Sequence, residues 1–171
     1  MANLIETSPK DKLRILNATV SQQANFDEVK QHALERIPGA VFLDMSIMRD
    51  LKAPYPHMMP SNEHFVRMVK TLNIRKSMTV VIYDTKNSFF ASRAAFMLQS
   101  FGHEKVKILD GTFAKWKKEG RPIESDVDCD VYDQEFDYKL DTSRFSTYEQ
   151  VKEASLSGTC KVIDSRPETM V

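Results

Sequence analysis

Apolar side chains along this chain fall into short dense runs separated by amphipathic stretches. Residues 13–20, 41–44, 78–83 and 106–109 are four such runs, and their density predicts strands buried on both faces. Between them the spacing turns helical. Phe26, Val29, Ala33 and Leu34 predict a helix with Asn25 at its N-cap. Phe65, Met68, Val69 and Leu72 predict a second, capped by Ser61. Ser61-Asn62-Glu63-His64 has no acid three residues after the cap, so that capping box is incomplete. A third helix is predicted from about Phe89 to Phe101, stopped by Gly102, and a fourth around residues 113–118, stopped by Gly120. Pro54, Pro56 and Pro60 keep residues 46–60 irregular. Strands alternating with helices at this spacing predict an α/β fold: three layers, with a parallel central sheet and helices on both faces.

The pattern changes after residue 125. Six aspartates, from Asp126 to Asp141, crowd a stretch without helical or strand period, which predicts an acidic surface linker over 126–145. Thr147 then caps a helix over 148–154, and residues 160–164 have the apolar density of a strand. Residues 13–19 and 160–166 share one pattern, an apolar run followed by Asn or Asp and small or polar residues. That repeat predicts the start of a second copy of the first domain. The expected organisation is a domain at 1–125, a linker at 126–145 and a truncated second domain at 146–171.

Composition narrows the function classes. The 24 basic and 24 acidic side chains cancel, which argues against nucleic acid or acidic lipid as the main partner. Two cysteines are too few for a disulfide scaffold or a cysteine-rich zinc site, and the four histidines are dispersed, so no metal and no cofactor are expected. No apolar run reaches the ~20 residues of a membrane span. The N-terminus lacks the basic-then-apolar order of a secretory signal.

Spaced motifs across residues 13–125 carry a resemblance. They are Ile37-Pro38-Gly39-Ala40-Val41-Phe42-Leu43-Asp44, Pro56-His57-Met58-Met59-Pro60-Ser61, Val80-Val81-Ile82-Tyr83-Asp84, Ala91-Ser92-Arg93 and Phe101-Gly102-His103. Val106-Lys107-Ile108-Leu109-Asp110-Gly111, Trp116 and Glu119-Gly120-Arg121-Pro122 complete the set. Together they resemble the N-terminal half of the two-domain rhodaneses, the thiosulfate and 3-mercaptopyruvate sulfurtransferases. Asp164-Ser165-Arg166-Pro167 is similar to the opening of the second rhodanese domain. The resemblance implies a first domain that is catalytically inert. It places the chemistry in a second domain, where a low-pKa cysteine thiolate accepts sulfur in a loop of backbone N–H groups. It also implies a mitochondrial or cytoplasmic setting, not a secreted one.

The resemblance puts Asp84 where the family's cysteine would sit, and Asp cannot accept a sulfane sulfur. Asp84 is expected to be a loop carboxylate satisfied by nearby N–H groups, and it heads a candidate vestigial site or cleft with Ser88, Arg93, Asp44 and His57. Arg93 is expected in a structural salt bridge, Asp44 on backbone groups at a strand end, and His103 on a backbone carbonyl. Trp116 is expected to anchor the last helix to the sheet. Cys129, flanked by acids, is expected to be an inert linker thiol. Cys160 is expected to be a small core residue. Met45, Met48, Met58 and Met59 are expected to line an exposed apolar face, on the side that a second domain covers in full-length relatives. The expected function is a non-catalytic structural or interaction subunit, partnered by a protein or larger assembly through that face and the C-terminal tail. The alternative is a piece of an active sulfurtransferase whose catalytic cysteine lies beyond Val171.

Overall fold

The computed structural model describes residues 2–9, 11–20, 27–85, 88–125 and 137–164. It divides into two units, residues 1–140 and residues 141–171. In the first, strands β1 (Leu13–Asn17), β2 (Ala40–Phe42), β3 (Thr79–Tyr83) and β4 (Val106–Ile108) form one parallel sheet in the order β2-β1-β3-β4. Helices α1 (Ala2–Thr7), α2 (Glu28–Leu34), α3 (Asn62–Thr71), α4 (Phe89–Ser100) and α5 (Thr112–Lys118) surround it.

Alternation along β1 and β3 divides their apolar side chains between two cores. Leu16, Val80 and Ile82 pack with Phe65, Val69 and Leu72 of the α3 region and with Ala91, Ala94, Met97 and Leu98 of α4. Leu13, Ile15, Val81 and Tyr83 belong to the other core, with Phe113 and Trp116 of α5 and with Leu4 and Ile5 of α1 packed against it. These two cores give the three-layer α/β architecture. The register pairs Ile15 with Val81 and Leu16 with Ile82, so each face is continuous across the two central strands.

Local signals act where the spacing places them. Ser61 Oγ accepts from the His64 amide at 3.2 Å and caps α3. Gly102, at φ +86°, takes the left-handed turn that ends α4 and donates to the Gln99 carbonyl at 3.0 Å. Trp116 is buried and its indole N–H donates to the Pro122 carbonyl at 2.7 Å.

Three expectations are corrected. First, α2 is capped by Asp27, whose carboxylate accepts from the Lys30 amide at 2.9 Å; Asn25 and Phe26 lie outside the described residues. Val29 and Leu34 of that helix are exposed, and the side chain it buries is His32. Second, Met45 and Met48 are buried in the α3–α4 core, so the exposed methionine of that group is Met58; Met59 is partly buried against the same core. Third, residues 161–164 form no strand and Cys160 is an exposed free thiol. A parallel strand needs a neighbour to take its backbone groups, and none is present among the described residues of that unit. That unit holds a short 3₁₀ turn (Thr142–Arg144) and helix α6 (Tyr148–Leu156). Thr147 and Gln150 close a full capping box at the start of α6. Tyr148, Leu156, Val162 and Ile163 are exposed.

Buried polar pairs tie distant segments of the first unit together. Arg36 is 2% exposed, and its guanidinium reaches Glu124 at 2.9 Å. The two residues also exchange backbone hydrogen bonds at 3.0 and 2.9 Å. The Glu124 carboxylate accepts from the Gly39 amide as well, at 3.2 Å. Next to this clasp, His32 Nδ1 accepts from the Asn17 side-chain amide, Nδ2, at 3.1 Å. Burial and the nearby Arg36 charge lower the His32 pKa from 6.5 to about 4.

The His32 shift sets a pH dependence. The unfolded chain protonates His32 below 6.5, whereas the fold resists protonation until about 4. Stability is therefore full above 6.5 and is lost as pH falls towards 4, by on the order of 3 kcal/mol. Urea unfolding across this range should show that loss, and His32→Gln, which keeps an acceptor for Asn17, should flatten it. Equal slopes in both proteins would reject the assignment.

Candidate functional site

The sheet order reverses direction at β1: the chain runs from β1 to β2 on one side, then returns to β3 on the other. In parallel α/β sheets the crevice beyond the carboxyl ends of strands at such a point is where ligands bind. Here Asn17-Ala18-Thr19 leaves β1 and Asp84 leaves β3, joined by the Ala18 amide donating to the Tyr83 carbonyl at 2.8 Å.

Asp84 is buried at 3% exposure. One carboxylate oxygen accepts from the Ser88 amide at 2.8 Å and the other from the Ala91 amide at 3.3 Å. Ala91 lies in the first turn of α4, whose amides have no partner within the helix. Ser88 stands at the N-cap position but adopts φ +59° and makes no side-chain cap bond. Asp84 caps α4 in its place, from four residues upstream of Ser88. The Asp84 carbonyl accepts from the Phe113 amide at 2.9 Å, which ties the start of α5 to the same point.

Above this loop lies an open depression of about 600 Å³, lined by His57, Ser88, Phe89, Phe90, Ser92, Arg93 and Phe96. The structure thus brings together three of the sequence candidates, His57, Ser88 and Arg93. Arg93 donates to the His57 carbonyl, and its Nε is buried without a hydrogen-bond partner. It makes no ion pair among the described residues, which corrects the expected salt bridge; the residues around it are aromatic or hydroxylic. Burial lowers its pKa from the ordinary arginine value. The His57 ring lies 6.1 Å from Phe90, edge to face. Asp44 is not among the lining residues. Its carboxylate accepts from the Ser46 amide at 2.8 Å and from the Ser46 hydroxyl at 2.6 Å, as a strand-end carboxylate should.

The remaining histidines are structural. His64 Nε2 bonds the Ile47 carbonyl at 2.7 Å, and His103 Nε2 bonds the Met78 carbonyl at 3.0 Å, as expected for His103. Among the described residues no group of three His, Cys, Asp or Glu side chains could hold a metal ion. Cys129 lies outside the described residues. Sequence reasoning missed Tyr138 and Glu124. Tyr138 is one of several aromatics, with Tyr132 and Phe136, set among aspartates, and that contrast is the signal that could have flagged it.

Comparison with known proteins agrees with this architecture. The model of the rhodanese-like domain matches residues 8–119. The chain belongs to the rhodanese family. A thiosulfate sulfurtransferase from Cricetulus griseus is 37% identical over 158 residues, covering 91% of this chain and 53% of that protein. The 3-mercaptopyruvate sulfurtransferase of Escherichia coli K12 is 32% identical over 166 residues, covering 96% and 59% respectively. The crystal structure of SseA from Escherichia coli superposes with a TM-score of 0.87 at 30% identity, over 99% of this chain and 64% of that one. A sulfur transferase subunit of yeast mitochondrial complex I shares the fold, with a TM-score of 0.75 at 23% identity over 91% of this chain and 56% of that one. This rhodanese-like chain spans about half the length of the curated relatives it matches.

The Asp84 contacts define a test. Asp84→Ala leaves the Ser88 and Ala91 amides without an acceptor and should lower unfolding stability by about 1–2 kcal/mol. Asp84→Asn, with one acceptor oxygen, should recover part of that loss. Urea denaturation followed by Trp116 fluorescence reads both, and an unchanged midpoint in Asp84→Ala would refute the capping role.

Proposed function

We propose that this rhodanese-like domain carries no sulfur on its own loop and acts as a structural or interaction half of a sulfurtransferase-type assembly. The observation that carries this reading is the occupancy of the loop. The N–H groups that a rhodanese site uses to cradle a persulfide are, on this reading, the Ser88 and Ala91 amides. Both already bond a carboxylate of the domain itself, Asp84. A carboxyl group has no sulfur to carry as a persulfide, and by holding these donors it keeps them from another anion.

The face that remains available is the aromatic depression around His57, Phe89, Phe90, Arg93 and Phe96. Phe89 is 66% exposed and Phe96 is 44% exposed. Exposed aromatic patches of this kind are interaction sites. A protein partner is the reading for this face, with Arg93 supplying a cation to a carboxylate on it. Mitochondrial or cytoplasmic placement, and membership of a larger assembly, belong to the same proposal.

A second reading rests on the coverage of 53% of the Cricetulus griseus relative. The domain would then be the first half of an active sulfurtransferase whose catalytic cysteine lies in residues after Val171.

The test is direct. The purified 171-residue chain is incubated with thiosulfate and cyanide, and separately with 3-mercaptopyruvate. We expect no thiocyanate or pyruvate above a protein-free control, and no mass gain of one sulfur atom on the protein. Turnover that disappears in Cys129→Ser or Cys160→Ser would overturn the first reading. An intact mass from the source cell that includes residues after Val171, with turnover by that longer chain that is lost on substituting a cysteine beyond Val171, would support the second.

A further inference from the structure

A buried histidine far from the loop holds the last residues of the first unit. His103 is 0% exposed. Its Nε2 lies 3.0 Å from the Met78 carbonyl, which can only accept, so that nitrogen carries the proton. In the neutral ring Nδ1 is then an acceptor, and the Tyr138 hydroxyl 2.9 Å away is its donor. Tyr138 is 2% exposed; its ring meets Phe65 edge to face at 5.5 Å and stacks beside His103 at 6.0 Å. Two residues later the Leu140 amide donates to the Asn62 side chain at 3.1 Å. Tyr138 is thus the plug that closes the α3–α4 core, and His103 holds the plug.

We propose that the His103–Tyr138 pair is an acid-releasable latch that keeps residues 137–140 seated on the first unit. Protonation of the ring puts a hydrogen on Nδ1, where the Tyr138 proton now points. The hydroxyl must turn towards its second neighbour, the Ile74 carbonyl, at a long 3.4 Å. The resulting imidazolium is fully buried, and the charges facing it are of its own sign. Lys105 and Lys76 both act against it, and Lys76 sits over the Tyr138 ring at 5.4 Å. Asp137, the nearby acid, is fully exposed and is paired with Lys76 at 3.8 Å. Burial, followed by the two lysines, lowers the His103 pKa from 6.5. The latch is therefore complete above 6.5 and weakens as pH falls through the lowered value. Withdrawal of Tyr138 lets His103 take its proton in water.

Amide hydrogen exchange on the full chain, from about pH 7.5 down to about pH 4.5, tests this. The readout is the protection factor of the Leu140 amide, which the Asn62 side chain holds, taken where the β3 amides remain more strongly protected, so that exchange at Leu140 reports local release and not unfolding of the unit. We expect the Leu140 protection factor to fall by up to roughly tenfold per pH unit below the ordinary histidine range, as release coupled to one proton requires. In His103→Gln that slope should vanish. In Tyr138→Phe, Leu140 protection should already be lost at neutral pH while β3 stays protected. The latch is rejected if the Leu140 protection factor is independent of pH, or if His103→Gln keeps the slope. Should His103→Gln not fold, wild-type protection and slope in Tyr138→Phe would reject it equally.

Discussion

The Asp84 carboxylate is the constraint on which the carboxyl edge of the sheet depends. A buried carboxylate must find donors, and a helix start must find acceptors. Asp84 and α4 answer each other, through Ser88 and Ala91, and the Asp84 carbonyl brings in α5 through Phe113. That arrangement explains why Ser88 can sit at φ +59° without capping its own helix. It also explains why α4 starts where it does, and so where Phe89, Phe90 and Arg93 project.

The same logic recurs at other closures of the first unit. Arg36 and Glu124 join the turn before β2 to the chain after α5 by side chain and backbone together. Tyr83, at the end of β3, accepts the Ile37 amide on its hydroxyl at 3.4 Å. Each is a polar pair set where an apolar core runs out, so its worth lies in fixing register more than in adding stability. The apolar alternation of β1 and β3 decides that there are two cores, and these pairs decide how the loops close over them.

Features written in a few adjacent residues were legible in the sequence. The run at 78–83, the Ser61 and Thr147 caps, the Gly102 stop and the Trp116 anchor all depend on local geometry. So did the satisfied state of Asp84, because a loop carboxylate before a helix has amides within reach. Features that depend on a distant neighbour were not legible. Val29 and Leu34 have helical spacing, but α2 turns His32 inward, because Asn17 and Phe42 await it there. Met45 and Met48 read as surface because they stand at the edge of a proline-rich stretch, yet α3 and α4 close over them. Residues 160–164 have the side chains of a buried strand and, among the described residues of their unit, no strand to pair with. Tyr138 looked like linker because its partner, His103, is 35 residues away.

The two kinds of chemistry open to a rhodanese-type loop are mutually exclusive for one set of amides. Donors that converge on a cavity bind an anion brought from outside, whether persulfide or substrate, because the fold leaves them unsatisfied until it arrives. The Ser88 and Ala91 amides, which converge on Asp84, are satisfied from the start. A domain built this way keeps a well-ordered α4 and a fixed aromatic face beside Arg93. The Arg93 guanidinium is the reverse case: its Nε is buried with nothing to donate to. Under the function proposed for this domain, the part this side chain plays is recognition of a carboxylate at an apolar interface.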